Sequence, residues 1–212
     1  MKTLALFIAT ALWLGACGKS PAPVEAASDA ATTPAKPTSP ADAVVAKPSA
    51  EASPLDQVPP PEEACEGVAC NEKGLAMTKT DPAKAVSYFK KSCDGGDSVA
   101  CGMAGIAFER GLGVSAHIPT AVSLYTKSCD LGYAKSCYNL GLMLFNGTGV
   151  PADEARGLKL LEKACEGRAW RACGSLGDYY LTKGDKTQAL RLLKQACDNG
   201  DALGCESLEK AK

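Results

Sequence analysis

The sequence predicts an all-α fold: a solenoid of about four helix–turn–helix repeats, finished by a C-terminal capping helix. Three observations carry that expectation. Cys70, Cys101, Cys137, Cys173 and Cys205 lead similar short segments at intervals of 31, 36, 36 and 32 residues, a period that belongs to stacked helical hairpins. Four cysteine pairs share one spacing of eight residues. Apolar residues recur at helical period on both sides of turns marked by glycine and proline.

Each copy opens on a helix, A, that begins just before its cysteine. The copies are Val68–Gly74, Val99–Gly105, Lys135–Gly141, Arg171–Gly177 and a truncated Leu203–Leu208. Leu140, Gly141 and Leu144 mark the apolar stripe of A. A glycine four residues after the cysteine recurs in four copies. Glycine inside a helix costs about 1 kcal/mol relative to alanine, so its recurrence points to a neighbouring helix packed closely there. Helix A stops at Gly111–Val114 and at Gly147–Val150. The second helix, B, is expected to start at Pro82, Pro119 and Pro151, since proline suits a first helical turn. Its apolar residues are Val86, Tyr88 and Phe89, then Val122, Leu124 and Tyr125, then Leu158, Leu160 and Leu161, then Leu190, Leu192 and Leu193. The last copy, Ala202–Lys212, is a single helix with Glu209 in place of the glycine, as befits a cap.

The N-terminal third reads differently. Lys2 and the apolar run Leu4–Leu14 form an export signal too short to span a membrane. Leu14-Gly15-Ala16-Cys17 resembles the bacterial lipobox. The resemblance implies cleavage after residue 16 and acylation of Cys17, an anchor with more than one chain. Gly18 then favours the outer membrane, with the domain in the periplasm of a bacterial cell envelope. Residues 17–63 follow as a Pro/Ala-rich tether: 18–63 hold ten of the thirteen prolines and no aromatic residue. Such a chain spans about 40 Å on average. The repeat domain is expected over 64–212. Net charge is −1 without blocks of like charge, which argues against nucleic acid as a partner.

Eleven cysteines beside one histidine indicate an oxidising compartment or metal. In Cys93/Cys101, Cys129/Cys137, Cys165/Cys173 and Cys197/Cys205, one thiol ends helix B and the other lies in the first turn of the next A. A tight turn such as Asp94–Asp97 brings such positions within disulfide range. Closing so short a loop stabilises by about 2.5 kcal/mol in the chain-entropy model. With Cys17 acylated, ten cysteines remain, and Cys65/Cys70 makes a fifth, tighter bridge. Zinc needs ligands that converge. These pairs are spread along the array and His117 sits in a loop, so neither metal nor cofactor is assigned.

Cys137–Val150 followed by Leu160–Gly167 resembles a Sel-like repeat, a relative of the tetratricopeptide repeat, and the added cysteine pairs resemble the Hcp group of bacterial proteins. The resemblance covers 65–212. The first copy departs from the pattern with its Cys65/Cys70 spacing and short loop at Lys79-Thr80, and a later copy has a short loop at Lys183–Asp185. The resemblance implies a right-handed superhelix whose A helices line a concave groove. Groove positions would then be Tyr138, Asn139, Leu142, Phe145 and Asn146, continuing with Ser175, Asp178 and Leu181, with Lys135 and Arg171 on the same face. Leu142 and Phe145 fit hairpin core equally well. Tyr138 and Asn139 are the better groove candidates.

Two function classes are consistent with this reading. One is a non-catalytic envelope scaffold binding a protein, a peptide or a peptidoglycan fragment. The other is a penicillin-interacting protein or weak β-lactamase, which the Hcp resemblance implies. Ser87-Tyr88-Phe89-Lys90 and Ser207-Leu208-Glu209-Lys210 match S-x-x-K. Yet Ser87 falls among the polar positions Ser123, Lys159 and Arg191 of a solvated helix face, and no S-D-N or K-T-G partner exists. The scaffold is favoured. Cys17→Ser is expected to move the protein from the membrane fraction to the soluble one; anchoring with unchanged mass would contradict the lipobox reading.

Overall fold

The computed structural model describes residues 53–212, so the leader 1–16, Cys17 and the tether up to residue 52 lie outside the described residues. Among the described residues there are nine helices and no strand. They are α1 Gly67–Met77, α2 Pro82–Asp94, α3 Ser98–Arg110, α4 Ile118–Asp130, α5 Ala134–Asn146, α6 Glu154–Glu166, α7 Trp170–Thr182, α8 Lys186–Asp198 and α9 Ala202–Ala211. Successive pairs form four A–B hairpins, and α9 packs on α7 and α8 as the cap. This is the α-solenoid that the repeat period predicts.

Local chemistry sets the helix starts. Asp81, Asp97, Asp153, Asp185 and Asp201 each cap an N-terminus by accepting a backbone N–H. Pro82 and Pro119 stand in the first turns of α2 and α4 as expected. Pro151 does not. The Asp153 cap, 3.0 Å from the Arg156 N–H, starts α6 at Glu154, and its own N–H is tied to the Leu144 carbonyl at 2.8 Å. Pro151 is thereby left in the loop. The A helices α3 and α5 end at Gly111 and Gly147, whose φ values of 70° and 68° are left-handed and suit glycine.

The recurring glycine seats helix B of its own hairpin. A Cβ on Gly74 would lie 2.6 Å from the Phe89 ring, on Gly105 2.7 Å from Tyr125, and on Gly177 2.6 Å from Leu193. Gly141 meets Leu161 in the same way, at 3.1 Å. All five bridges expected from the sequence are present, Cys65–Cys70 and the four eight-residue pairs. The latter hold their Cα atoms 4.4–4.8 Å apart. Ser92 and Ser128, each beside a bridge, donate within their own hairpin to the carbonyls that open helix A, those of Gly67 and Ser98, at 2.8 and 2.6 Å.

The folded part begins earlier than residue 64, where the sequence places its boundary. Residues 53–63 form a strap along the first two hairpins. Val58 enters the core cluster that holds Val86, Phe89, Phe108 and Tyr125, and Leu55 packs against it. Burying a valine is worth about 1.5–3 kcal/mol. Ser53 Oγ lies 3.4 Å from Thr120 Oγ1 on α4. Glu62 pairs with Lys84 at 2.9 Å and Glu63 with Lys73 at 2.7 Å. Pro59, Pro60 and Pro61 pre-set the extended backbone between them, which reduces the ordering cost.

Gly105→Ala is expected to destabilise the domain by about 1–3 kcal/mol in chemical denaturation, because the fully buried Tyr125 ring cannot make room. An exposed mid-helix glycine would instead gain about 1 kcal/mol from the same change. A stabilised variant would refute the seat.

Candidate functional site

The A helices α5 and α7 carry every position that the resemblance assigns to a groove, and these positions separate into three kinds. Lys135, Asn146, Arg171 and Asp178 are exposed on this face. Tyr138 and Leu142 are half-buried and pack against the core cluster of α5–α8, so they serve the fold as well as the surface. Ser175 and Leu181 are half-buried too. Asp178 reaches toward the next A helix, where its charge helps raise the pKa of Lys210 on α9 behind the larger effect of Glu206.

Asn139 belongs to an internal lock. Tyr125, from helix B of the second hairpin, passes beneath α3 and donates its hydroxyl to Glu109 at 2.5 Å. Asn139 of the next hairpin stands by the same phenol and opposes part of the rise in its pKa. Burial, reinforced by the Glu109 carboxylate, pushes the Tyr125 phenol far above its ordinary range. The trio joins the A helices of two hairpins.

The densest part of the surface is aromatic. Phe145 of α5 meets Tyr179 of α7 edge-on, ring centres 5.8 Å apart, and Tyr179 meets Tyr180 at 5.5 Å. Lys183 Nζ stands 5.1 Å from the centre of the Tyr179 ring and 3.5 Å from Glu154. The sequence reading found Phe145 but missed Tyr179, Tyr180 and Lys183. Six and seven residues after the cysteine, α3 and α5 carry buried Ala107 and Phe108, and buried Met143 and Leu144. A signal existed in the adjacent tyrosines at these positions, next to the short loop Lys183–Asp185. In the longer loops of the second and third hairpins, Val114 and Val150 fold back onto the core.

The S-x-x-K residues do not form a catalytic pair. Ser87 Oγ turns to its own helix, 3.4 Å from the Ala83 carbonyl, while Lys90 pairs with Asp94 at 3.3 Å and Lys210 with Glu206 at 2.6 Å. Ser87 is also buried, unlike its counterparts Ser123, Lys159 and Arg191. It borders a cleft of about 350 Å³ between the strap and α2, which the sequence did not foresee. His117 caps α4: its Nδ1 accepts the Thr120 N–H at 3.3 Å and lies 2.8 Å from the Thr120 hydroxyl.

The chain matches the Sel1 repeat family model four times, over residues 63–97, 98–133, 134–167 and 171–201. Three solved structures share the fold. A protective antigen of uropathogenic Escherichia coli, described as displaying an SLR fold, is 20% identical with a TM-score of 0.63, over 68% of this chain and 33% of that one. A Sel1 repeat protein from Oxalobacter formigenes is 24% identical with a TM-score of 0.60, over 66% and 57%. An immunity protein of Pseudomonas aeruginosa is 23% identical with a TM-score of 0.54, over 75% and 62%. The matches thus span less than two thirds of each of these proteins. No curated protein sequence matched the chain.

The Tyr125 lock carries a pH signature. A phenol whose pKa is raised by folding contributes its stability while it is protonated in both states. From about pH 10, where the unfolded phenol ionises, that contribution falls with rising pH. The stability difference between the unaltered chain and Tyr125→Phe, measured by denaturation at pH 8, 10 and 11, is expected to shrink across this series. A constant difference would show that folding does not hold the phenol protonated.

Proposed function

As a chain of the Sel1 repeat family, we propose, this protein is a non-catalytic, lipid-anchored scaffold of the bacterial envelope that binds an extended protein or peptide segment on its A-helix face. The observation that supports this reading is the pair of half-buried rings Phe145 and Tyr179 with Lys183 beside it, backed by Tyr180, which packs on the core behind them. Aromatic rings give large contact area at low cost in side-chain entropy, and they anchor interfaces for that reason. The exposed Asp178 and Asn146 supply polar partners for a peptide backbone or for the sugars of a peptidoglycan strand.

Five disulfides suit an oxidising compartment outside the cytosol. Lipidation at Cys17 and outer-membrane attachment remain part of the proposal. The hydrolase alternative has no support in the arrangement of Ser87 and Lys90, which bond to different groups.

A photo-crosslinking residue at Asn146, beside the rings, is expected to capture a discrete partner in intact cells, identified by mass spectrometry. A crosslinker at Lys159, on helix B, serves as the control. Tyr179→Ala should reduce capture tenfold or more, a change of about 1.4 kcal/mol. Equal capture at both sites, or capture indifferent to Tyr179→Ala, would put the partner elsewhere.

A further inference from the structure

We propose that the outer face of the first two hairpins is a second docking site, for an acidic, proline-rich segment of a partner protein, and that residues 53–63 occupy it as an intramolecular stand-in. The strap displays the chemistry of the ligand. Val58 fills an apolar recess beside Tyr88, Phe108 and Val114. Three prolines hold the chain extended. Glu62 and Glu63 then meet Lys84 and Lys73 at 2.9 and 2.7 Å. Extended proline-rich segments commonly dock in this manner, their stiff backbone laid across aromatic and apolar side chains.

The receiving side is built for charge where the array elsewhere is built for packing. Lys73 stands three residues after Cys70. The matching positions are Ala104, Leu140 and Leu176, all buried in the core. Lys84 corresponds to the buried Thr120, to Arg156 and to Gln188. The first hairpin thus sets two lysines beside the Tyr88 ring, and of these Lys73 has no polar counterpart in the second to fourth hairpins; its Nζ lies 5.9 Å from the centre of that ring. The lysine hydrogen bond holds the Glu63 carboxyl below its ordinary range.

The strap is held loosely for a permanent part of the fold. Val58 is its one buried side chain. Both ion pairs are open to solvent and contribute little. A cleft of about 350 Å³, open to solvent, runs along the strap. Its advantage is proximity: it joins the domain at Cys65 and so competes at an effective concentration on the order of millimolar. A partner segment of the same chemistry, clustered at the envelope, displaces it.

The test uses the full chain and a fluorescent peptide with the sequence of Ser53–Glu63. Two strap variants are compared with the unaltered chain: Glu62→Lys with Glu63→Lys, which alters exposed residues alone, and the same pair with Val58→Asp. Helical circular dichroism establishes folding. The peptide is expected to bind the triple variant at least tenfold more tightly than the unaltered chain, with the double variant between them. Adding Lys84→Glu should weaken that binding several-fold. Equal binding to all three chains, or no binding to folded variants, overturns the proposal. So does a strap-exchanged dimer in sedimentation that the peptide cannot dissociate, since the occupant would then be a second copy. Capture at Asn146 reports on the other surface and is expected to be unchanged in the strap variants, so the two readings fail separately.

Discussion

Each hairpin of a solenoid touches only its neighbours, so the turn from one helix B into the next helix A is the geometry that the whole array repeats. Here that turn is closed covalently. The bridges at Cys93, Cys129, Cys165 and Cys197 hold helix ends 4.4–4.8 Å apart between Cα atoms. The same cysteines set the register inside each hairpin. The residue four before the closing cysteine, Phe89, Tyr125, Leu161 or Leu193, enters the notch at the glycine four after the opening one. Both contacting residues are thus counted from a bridge, and the bridge constrains stacking and hairpin closure together. The junction turn has one local cost. Where the others place Gly96, Gly132 and Gly200 in the left-handed region, the third has Arg168 at φ 67°. A side chain there costs on the order of 1 kcal/mol, and the covalent closure absorbs it.

Because these relations are local and periodic, much of the fold is legible in the sequence. The cysteine interval gives the repeat, the glycine gives the close approach, and Pro82 and Pro119 give the starts of two B helices. What escapes is whatever depends on one copy differing from the rest. The strap is an instance. Its prolines and polar residues describe a tether by composition, and only Val58 and Leu55 show that it can adhere. Its presence in turn buries Ser87, which periodicity alone places in solvent with Ser123 and Lys159. Pro151 escapes for a different reason: two start signals stand close together, and the Asp153 cap prevails.

The positions assigned to a groove are all exposed or half-buried, and their individual roles were not legible. Counting from the cysteine places Lys135, Arg171 and Asp178 on an exposed face, but it cannot separate a surface residue from one committed to packing. Tyr138 and Leu142 lean on the core of the later hairpins. Asn139 is drawn into the lock with Tyr125 and Glu109, a partnership across hairpins that no spacing within one copy reveals.

The array therefore has a simple rule for where recognition can reside. Positions that do the same work in every copy are used up by packing: the glycine notch, the bridge, the Leu140-type core residue. Chemistry free to meet a partner must lie where the copies depart from one another, and the structure has two such places. Among the described residues no hairpin precedes α1, and the position that holds Leu140 and Leu176 further on holds Lys73 there. In the fourth hairpin the loop is short, and the places of Ala107 and Phe108 go to Tyr179 and Tyr180, which stay half-exposed. One irregularity gathers cations around an apolar recess and the other gathers rings beside a lysine. The regular repeats between them hold the two surfaces at a fixed separation.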